Sequence, residues 1–111
     1  MNRIEFLTAV KHNINDYSAL VKLYQSLDDK SKIDKSLLID AINVNNIFWL
    51  VLADDWKTDF DIVMAAVKKD GAALFFASDE LKDNEKIVQA AINQWPTAIN
   101  YASPRLYKIY S

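Results

Sequence analysis

A six-residue apolar block recurs along this chain with a period of 25 residues. Its copies lie at 37–42, 62–67 and 87–92, and they align on Ala41, Ala66 and Ala91. A fixed period of this length is typical of stacked supersecondary units, each of which is too small to bury its own apolar face. The period therefore constrains the architecture strongly and says little about activity.

The spacing within each copy predicts helices. In the second copy Val63, Met64, Ala66 and Val67 recur at intervals of three and four, which defines one face of a helix. The chain contains one Gly and two Pro, so few residues interrupt such helices. We predict an all-α fold, an array of short antiparallel helix pairs stacked as a small solenoid-like helical-repeat domain.

Residues with special backbone requirements keep the same period. The predicted N-caps, whose side-chain oxygens accept from free amides, are Asp34, Asp59 and Asn84; Thr58, paired with Asp61, is an alternative for the second. The position between the two helices of each copy is occupied by Asn46, Gly71 and Pro96. Asn and Gly tolerate the left-handed conformation that ends a helix, and Pro fits the first turn of the next one.

We interpret residues 1–111 as one domain. Its predicted parts are a divergent N-terminal unit at 1–33 and related units at 34–58, 59–83 and 84–111. In the N-terminal unit a second helix is predicted from Asp16 to Leu27, with inward side chains at Tyr17, Leu20, Val21 and Tyr24, followed by a polar connection at 28–32. At the other end, Ser103 and Pro104 predict the cap and first turn of a last short helix that covers the end of the stack.

Composition excludes several classes of protein. The 13 Lys and Arg residues are outnumbered by 15 Asp and Glu, which gives a formal charge of −2 and disfavours nucleic acid as a partner. Cysteine is absent, so disulfides and thiolate metal sites are excluded. No segment approaches the roughly 20 apolar residues of a membrane span, and residues 1–27 lack a signal-peptide pattern. We therefore expect a cytoplasmic protein without a membrane partner.

Catalytic and metal-binding patterns are also missing from the sequence. The lone His12 has Asn13 and Asp16 near it but no nucleophile motif such as a glycine-flanked serine. Histidine pairs and carboxylate loops with metal-ligand spacing do not occur. We expect no enzymatic activity, no metal and no cofactor, and we interpret His12 as a partly exposed residue at the end of a helix.

Two acidic pairs recur in register and are candidate partner-binding residues. Asp54-Asp55 and Asp79-Glu80 lie 25 residues apart, after the second helix of their copies. Because neighbouring units stack at about 10 Å, both pairs are predicted to share an acidic edge that steers a basic partner. The alternative is that acids simply favour the first turn of a short helical segment.

Aromatic residues fall mostly at core spacing. For this set a core role is predicted over a stacking platform: Trp49, Trp56, Phe75, Phe76 and Tyr101. Trp95 differs because its counterparts are Asn45 and Asp70, polar residues that indicate a position facing water. An exposed Trp95 is a candidate interface anchor; alternatively it folds back under the C-terminal turn.

The second and third copies resemble a known family. The segment from Asp61 to Asp83 is similar to the repeat of the DUF4116 family, a domain of unknown function. The likeness rests on Val63, Ala66-Val67, Gly71, Ala73-Leu74, Ala77-Ser78 and Leu81-Lys82, and in the next copy on Ile87-Val88, Ala90-Ala91-Ile92, Ala98, Tyr101-Ala102-Ser103 and Leu106. It covers 59–106 well and 34–57 weakly. The resemblance implies an all-helical repeat and carries over no catalytic residue, cofactor or substrate.

From these observations we expect a non-enzymatic protein-interaction module. Repeat stacks keep a constant core while their surface residues vary, which suits them to binding proteins. The candidate partner-binding residues of this module are Asp54, Asp55, Asp79, Glu80 and Trp95. The alternatives are a small acidic inhibitor or immunity-type protein that binds a basic target site, and a structural segment of a longer repeat array. The sequence leaves the partner and the oligomeric state open.

Overall fold

The computed structural model describes residues 2–13 and 15–111, and the regular elements within these ranges are all helical. This confirms the all-α prediction. In chain order the α-helices are α1 (Arg3–His12), α2 (Tyr17–Ser26), α3 (Asp29–Lys32), α4 (Lys35–Val44), α5 (Phe60–Lys69), α6 (Asp79–Lys82), α7 (Glu85–Gln94) and α8 (Pro104–Tyr110). The 3₁₀ helices are η1 (Asn46–Val51), η2 (Asp54–Thr58), η3 (Gly71–Phe76) and η4 (Pro96–Tyr101).

The chain folds into two compact units. In the N-terminal unit, Met1–Leu52, α4 packs on α1 and η1, and α2 packs on η1. The buried Phe48 ring packs in edge-to-face geometry with Phe6 and Tyr24, at centroid distances of 5.7 and 6.0 Å. In the C-terminal unit, Ala53–Ser111, α5 packs on α7, and η3 contacts α5, α7 and η4. The assignment of the whole chain to one domain with four parts stays a prediction.

The helices recur with the period of the sequence. The ten-residue helices α4, α5 and α7 begin at residues 35, 60 and 85, and the six-residue helices η1, η3 and η4 begin at 46, 71 and 96. The residue between each pair has nearly the same backbone conformation, with φ and ψ of −157° and 102° at Asn45, −152° and 108° at Asp70, and −152° and 105° at Trp95. The 25-residue sequence period thus corresponds to a recurring order of elements.

The three predicted caps begin the long helices. Asp34 Oδ1 accepts from the amide of Leu37 at 3.2 Å. Asp59 and Asn84 make the same contact to the third residue beyond them, each at 3.1 Å. Each side chain satisfies an amide that the helix itself leaves unpaired. These caps explain why α4, α5 and α7 start where the sequence predicts.

The second part of each copy differs from the predicted single helix. A six-residue 3₁₀ helix is followed by two extended residues and then by a separate short helix, η2, α6 or α8. The extended residue at Ala77 has φ −72° and ψ 159°. It lets the amide of Ser78 reach the carbonyl of Lys57 at 3.0 Å, and Ser103 reaches Lys82 in the same way at 2.9 Å. A continuous helix has no room for these bonds, because its amides bind carbonyls within the helix.

Gly71 corrects another expectation. In the described residues φ is negative at every position, so neither Gly71 nor Asn46 adopts the left-handed conformation. Gly71 is needed because helix α7 comes close: a Cβ there lies 2.6 Å from the carbonyl oxygen of Ala91 and 2.9 Å from Cβ of Trp95. Real Cβ atoms essentially never approach another heavy atom this closely. The constraint is therefore steric and tertiary in origin.

The two ends of the chain follow the predictions in outline. Helix α2 has Asp16 as its cap and buries Leu20, but Tyr17, predicted to face inward, is exposed. The predicted polar connection contains the short helix α3. At the C-terminal end Ser103 caps α8 through the amide of Leu106 at 3.3 Å.

Candidate functional site

The two predicted acidic pairs lie on neighbouring short helices of the C-terminal unit. Asp54 and Asp55 begin η2, and Asp79 and Glu80 begin α6. All four side chains are exposed. The backbone bond between Ser78 and Lys57 joins the end of η2 to the start of α6. The structure thus brings the pairs near one another in this unit, and their role as a binding edge stays a prediction.

Cations lie among these carboxylates. The half-buried Lys57 lies in η2; desolvation lowers the pKa of its ammonium, and the nearby charge of Asp54 acts in the opposite direction. Beyond α6, Asp83 accepts from Ser103 Oγ at 2.7 Å and from Arg105 Nε at 2.9 Å. The surface around the acidic pairs is therefore mixed in charge.

A cluster of aromatic rings, three exposed and one half-buried, lies beside α6. We call it the aromatic cluster; its members are Phe75, Phe76, Trp95 and Tyr101. The centroid of the Phe75 ring is 5.0 Å from that of Phe76 and 5.4 Å from that of Tyr101, both in edge-to-face geometry. Trp95 lies 6.1 Å from Tyr101 at an interplanar angle of 43°. The exposed fractions are 54% for Phe75, 48% for Phe76 and 36% for Trp95.

The core role predicted for Phe75 and Phe76 is therefore wrong, and helix type is the reason. A 3₁₀ helix has three residues per turn, so every third residue shares a face. Gly71 and Leu74 share a buried face of η3, which leaves Phe75 on another face. Phe76 lies three residues after the buried Ala73, and its larger ring reaches the solvent. The three-residue spacing of these small and apolar residues is visible in the sequence and was the available signal. Trp49, by contrast, is buried as predicted.

A groove of about 520 Å³ adjoins the aromatic cluster. Its lining comes from η3, α6, η4 and the start of α8: Phe75, Asp79, Lys82, Asn100, Tyr101, Ala102, Ser103 and Pro104. The Lys82 ammonium lies 5.6 Å from the centroid of the Phe75 ring, within the range of a cation–π contact. The groove thus combines aromatic rings, one carboxylate and polar N–H donors.

The polar counterparts of Trp95 do not mark a solvent-facing position. Asn45 is 3% exposed; its Oδ1 accepts from the amide of Ile47 at 3.1 Å, and its Nδ2 donates to the carbonyl of Val10 at 3.1 Å. Asp70 caps η3 through the amide of Ala72 at 3.0 Å. Asn45 and Asp70 thus share the role of a helix N-cap. Trp95 is the residue directly before η4 and provides no side-chain cap. Its ring lies next to Tyr101.

Other chemistry-bearing residues add no second site among the described residues. His12 is exposed in the last turn of α1, as predicted. In the part of the chain that the structure describes, no group of three His, Asp or Glu side chains has an arrangement that could hold a metal ion. Over the same residues, every helix is too short or too polar to cross a membrane.

The fold and the groove define a small all-α protein with an exposed aromatic surface. Residues 59–107 match the family model of DUF4116, a domain of unknown function. This confirms the resemblance inferred from the sequence over the segment that carries the aromatic cluster and the groove. Searches of curated proteins and of solved structures found no match.

Proposed function

We propose that this protein is a non-enzymatic protein-interaction module that works in the cytoplasm and binds its partner through the aromatic cluster. The observation that carries the proposal is the contact among several large, solvent-exposed rings on one unit. Exposed aromatic residues are enriched at the centres of protein interfaces, where a few of them supply most of the binding energy.

Buried residues fix the backbone of the two 3₁₀ helices, η3 and η4, that carry the rings. Leu74 in η3 and Ala98 in η4 are completely buried, and they anchor the two helices that carry Phe75 and Tyr101. The bonds from Ser78 and Ser103 to the preceding short helices add further support. Side chains on such anchored elements lose little entropy on binding, which favours affinity.

The acidic pairs have a different role in this proposal. Exposed charges contribute mainly to the rate of association and to partner choice, whereas buried apolar contacts contribute most of the affinity. We therefore assign Asp54, Asp55, Asp79 and Glu80 to the steering of a basic partner. The aromatic cluster holds the partner once it has arrived.

A comparison of tagged baits in native lysate tests the proposal. The baits are the wild type, the double variant Phe75→Ser/Phe76→Ser, the acid-reversed variant with Lys at positions 54, 55, 79 and 80, and the control Phe60→Ser. Phe60 is 37% exposed and does not line the groove, so it controls for the loss of an exposed ring. Quantitative mass spectrometry identifies the captured proteins, and circular dichroism verifies that every bait is folded.

The expected result is a specific protein that wild type and Phe60→Ser capture and that the double variant loses. The acid-reversed variant should retain that protein at reduced yield. If the double variant captures it as well as wild type does, the aromatic cluster is not the binding surface. Absence of any specific protein with wild type would contradict the interaction module itself.

A further inference from the structure

The groove beside the aromatic cluster has a lining that selects one class of ligand. Two of its lining rings, Phe75 and Tyr101, lie 5.4 Å apart with an interplanar angle of 75°. The two rings are in edge-to-face contact, so together they form one aromatic wall of the groove. Aromatic-lined grooves of this kind receive proline rings, which are compact, apolar and already ordered by the polyproline II conformation.

The polar lining also matches an extended backbone. A polyproline II helix makes no internal hydrogen bonds, so all its carbonyl groups are available to a binding partner. Lys82 and Asn100 line the groove, and both side chains carry N–H donors. An α-helical ligand uses its carbonyls internally and has no need of these donors.

The charges favour a cation on the ligand. Asp79 lines the groove, the exposed Glu80 follows it in α6, and Asp54 and Asp55 lie on the neighbouring η2. Lys82 also lines the groove, with its ammonium 5.6 Å from the centroid of the Phe75 ring, and Lys57 lies in η2, so these four carboxylates outnumber the two cations. A guanidinium forms two parallel hydrogen bonds with a carboxylate and stacks on aromatic rings, which makes arginine the complementary residue.

We propose that this groove binds an extended, proline-rich segment of a partner protein that carries an arginine, with the prolines against Phe75 and Tyr101 and the guanidinium on Asp79. The inference rests on the proposed function, because it names the ligand class of the same surface. Asp79 thereby becomes the specificity residue of the groove.

Synthetic peptides titrated into the 111-residue chain test the ligand class. The probe is a ten-residue proline-rich peptide with one arginine; matched peptides replace the arginine by glutamate or all prolines by alanine. Two-dimensional amide NMR gives the dissociation constant and the location of binding. We expect shifts confined to residues 75–82 and 100–104, and a dissociation constant at least about tenfold weaker for either matched peptide.

Variants of the protein separate the contributions of ring and carboxylate. Phe75→Ala should weaken binding of the probe at least about tenfold, while Phe60→Ala leaves it unchanged. Asp79→Lys should invert the preference, so that the glutamate peptide binds more tightly than the arginine peptide. An unchanged preference in Asp79→Lys would overturn the role of Asp79.

A random peptide library displayed against the 111-residue chain distinguishes the two proposals. Enrichment of peptides with proline and arginine supports both. Enrichment of peptides that bind residues 75–82 but lack proline, including helical ones, overturns the ligand class and leaves the interaction module standing. If the library yields no binder and the lysate yields no partner, the proposed function fails as well.

Discussion

Gly71 is the residue where local conformation and tertiary packing make opposite demands. Its φ is negative, so alanine is conformationally allowed there and reduces the entropy of the unfolded chain. That effect alone stabilises a protein by about 0.4–1 kcal/mol. The added methyl, however, lies 2.6 Å from the backbone oxygen of Ala91, which can move only if α7 moves. Overpacking of this kind costs about 1–3 kcal/mol, so the steric effect is the larger one.

We therefore expect Gly71→Ala to lower the free energy of unfolding by about 1–2 kcal/mol net. Chemical denaturation followed by circular dichroism measures the change. Lys69→Ala, at an exposed position in the last turn of α5, is the control and should stay within about 0.5 kcal/mol of wild type. A variant at position 71 that is more stable than wild type would show that η3 and α7 separate easily.

At the scale of the helices, the start of η4 combines a missing cap with an exposed aromatic ring. Asp70 provides the cap for η3 with φ and ψ of −152° and 108°, and Trp95 has nearly identical angles without providing one. An N-cap contributes about 0.5–2 kcal/mol, and an aromatic pair about 0.5–1.5 kcal/mol. A residue that does not cap its helix, at a position where a capping residue is preferred, is expected where function requires that residue.

We predict that Trp95→Asp changes the free energy of unfolding by no more than about 1 kcal/mol, because the new cap offsets the lost contact with Tyr101. Partner binding should weaken at the same time, whereas Trp95→Phe retains it. Thermal denaturation measures the change in stability, and capture of the partner from native lysate by the same variants measures the change in binding. Unchanged binding by Trp95→Asp would remove Trp95 from the binding surface.

The contact between α6 and α8 is predicted to depend on pH. Hydrogen bonds from Arg105 and Ser103 hold the pKa of Asp83 below its ordinary value. A carboxylate with a depressed folded-state pKa contributes stability that is full above the unfolded pKa and disappears as the pH falls through the folded one. The contribution should therefore be present at neutral pH and be lost below about pH 4.

Asp83→Asn tests this contribution. We expect the variant to melt at a lower temperature than wild type at pH 7, and the difference between the two melting temperatures to shrink as the pH falls below about 4. Glu85→Gln is the control, because Glu85 lies 4.0 Å from Arg105 and both side chains are exposed. A gap between wild type and Asp83→Asn that persists at low pH would mean that packing, and not ionisation, is responsible.

At the scale of the whole molecule, the aromatic cluster and the groove belong entirely to the C-terminal unit, Ala53–Ser111. This unit has its own buried core, centred on Ile62, Val63, Leu74 and Ile87. A chain of that length buries about 60% of its unfolded surface, which is marginal but sufficient for independent folding. The proposed binding activity should therefore not require residues 1–52.

We predict that a fragment of residues 53–111 is helical, melts cooperatively and binds the proline-rich probe with the affinity of the full chain. Circular dichroism and the peptide titration are the measurements. The same fragment carrying Phe75→Ala provides the negative control for binding. A folded fragment that fails to bind would show that the N-terminal unit contributes to the site.

The sequence was sufficient to predict the local features of this fold but not those that depend on distant residues. Asp34, Asp59 and Asn84 were recognisable because a cap is a local interaction between a side chain and an amide two or three residues away. Phe75 and Phe76 were misplaced because an α-helical period was applied to a 3₁₀ helix. Asn45 was misinterpreted because its buried bond to Val10 joins residues 35 positions apart.

The sequence by itself therefore determined the all-α class, the 25-residue order of elements and the starts of the long helices. These features depend on apolar period and capping, which act over a few residues. Only the tertiary structure decided that Gly71 serves a close helix contact, that Phe75 and Phe76 face solvent and that Asp79 lines a groove. Each of these depends on which helix lies beside which, and residues distant in the chain set that arrangement.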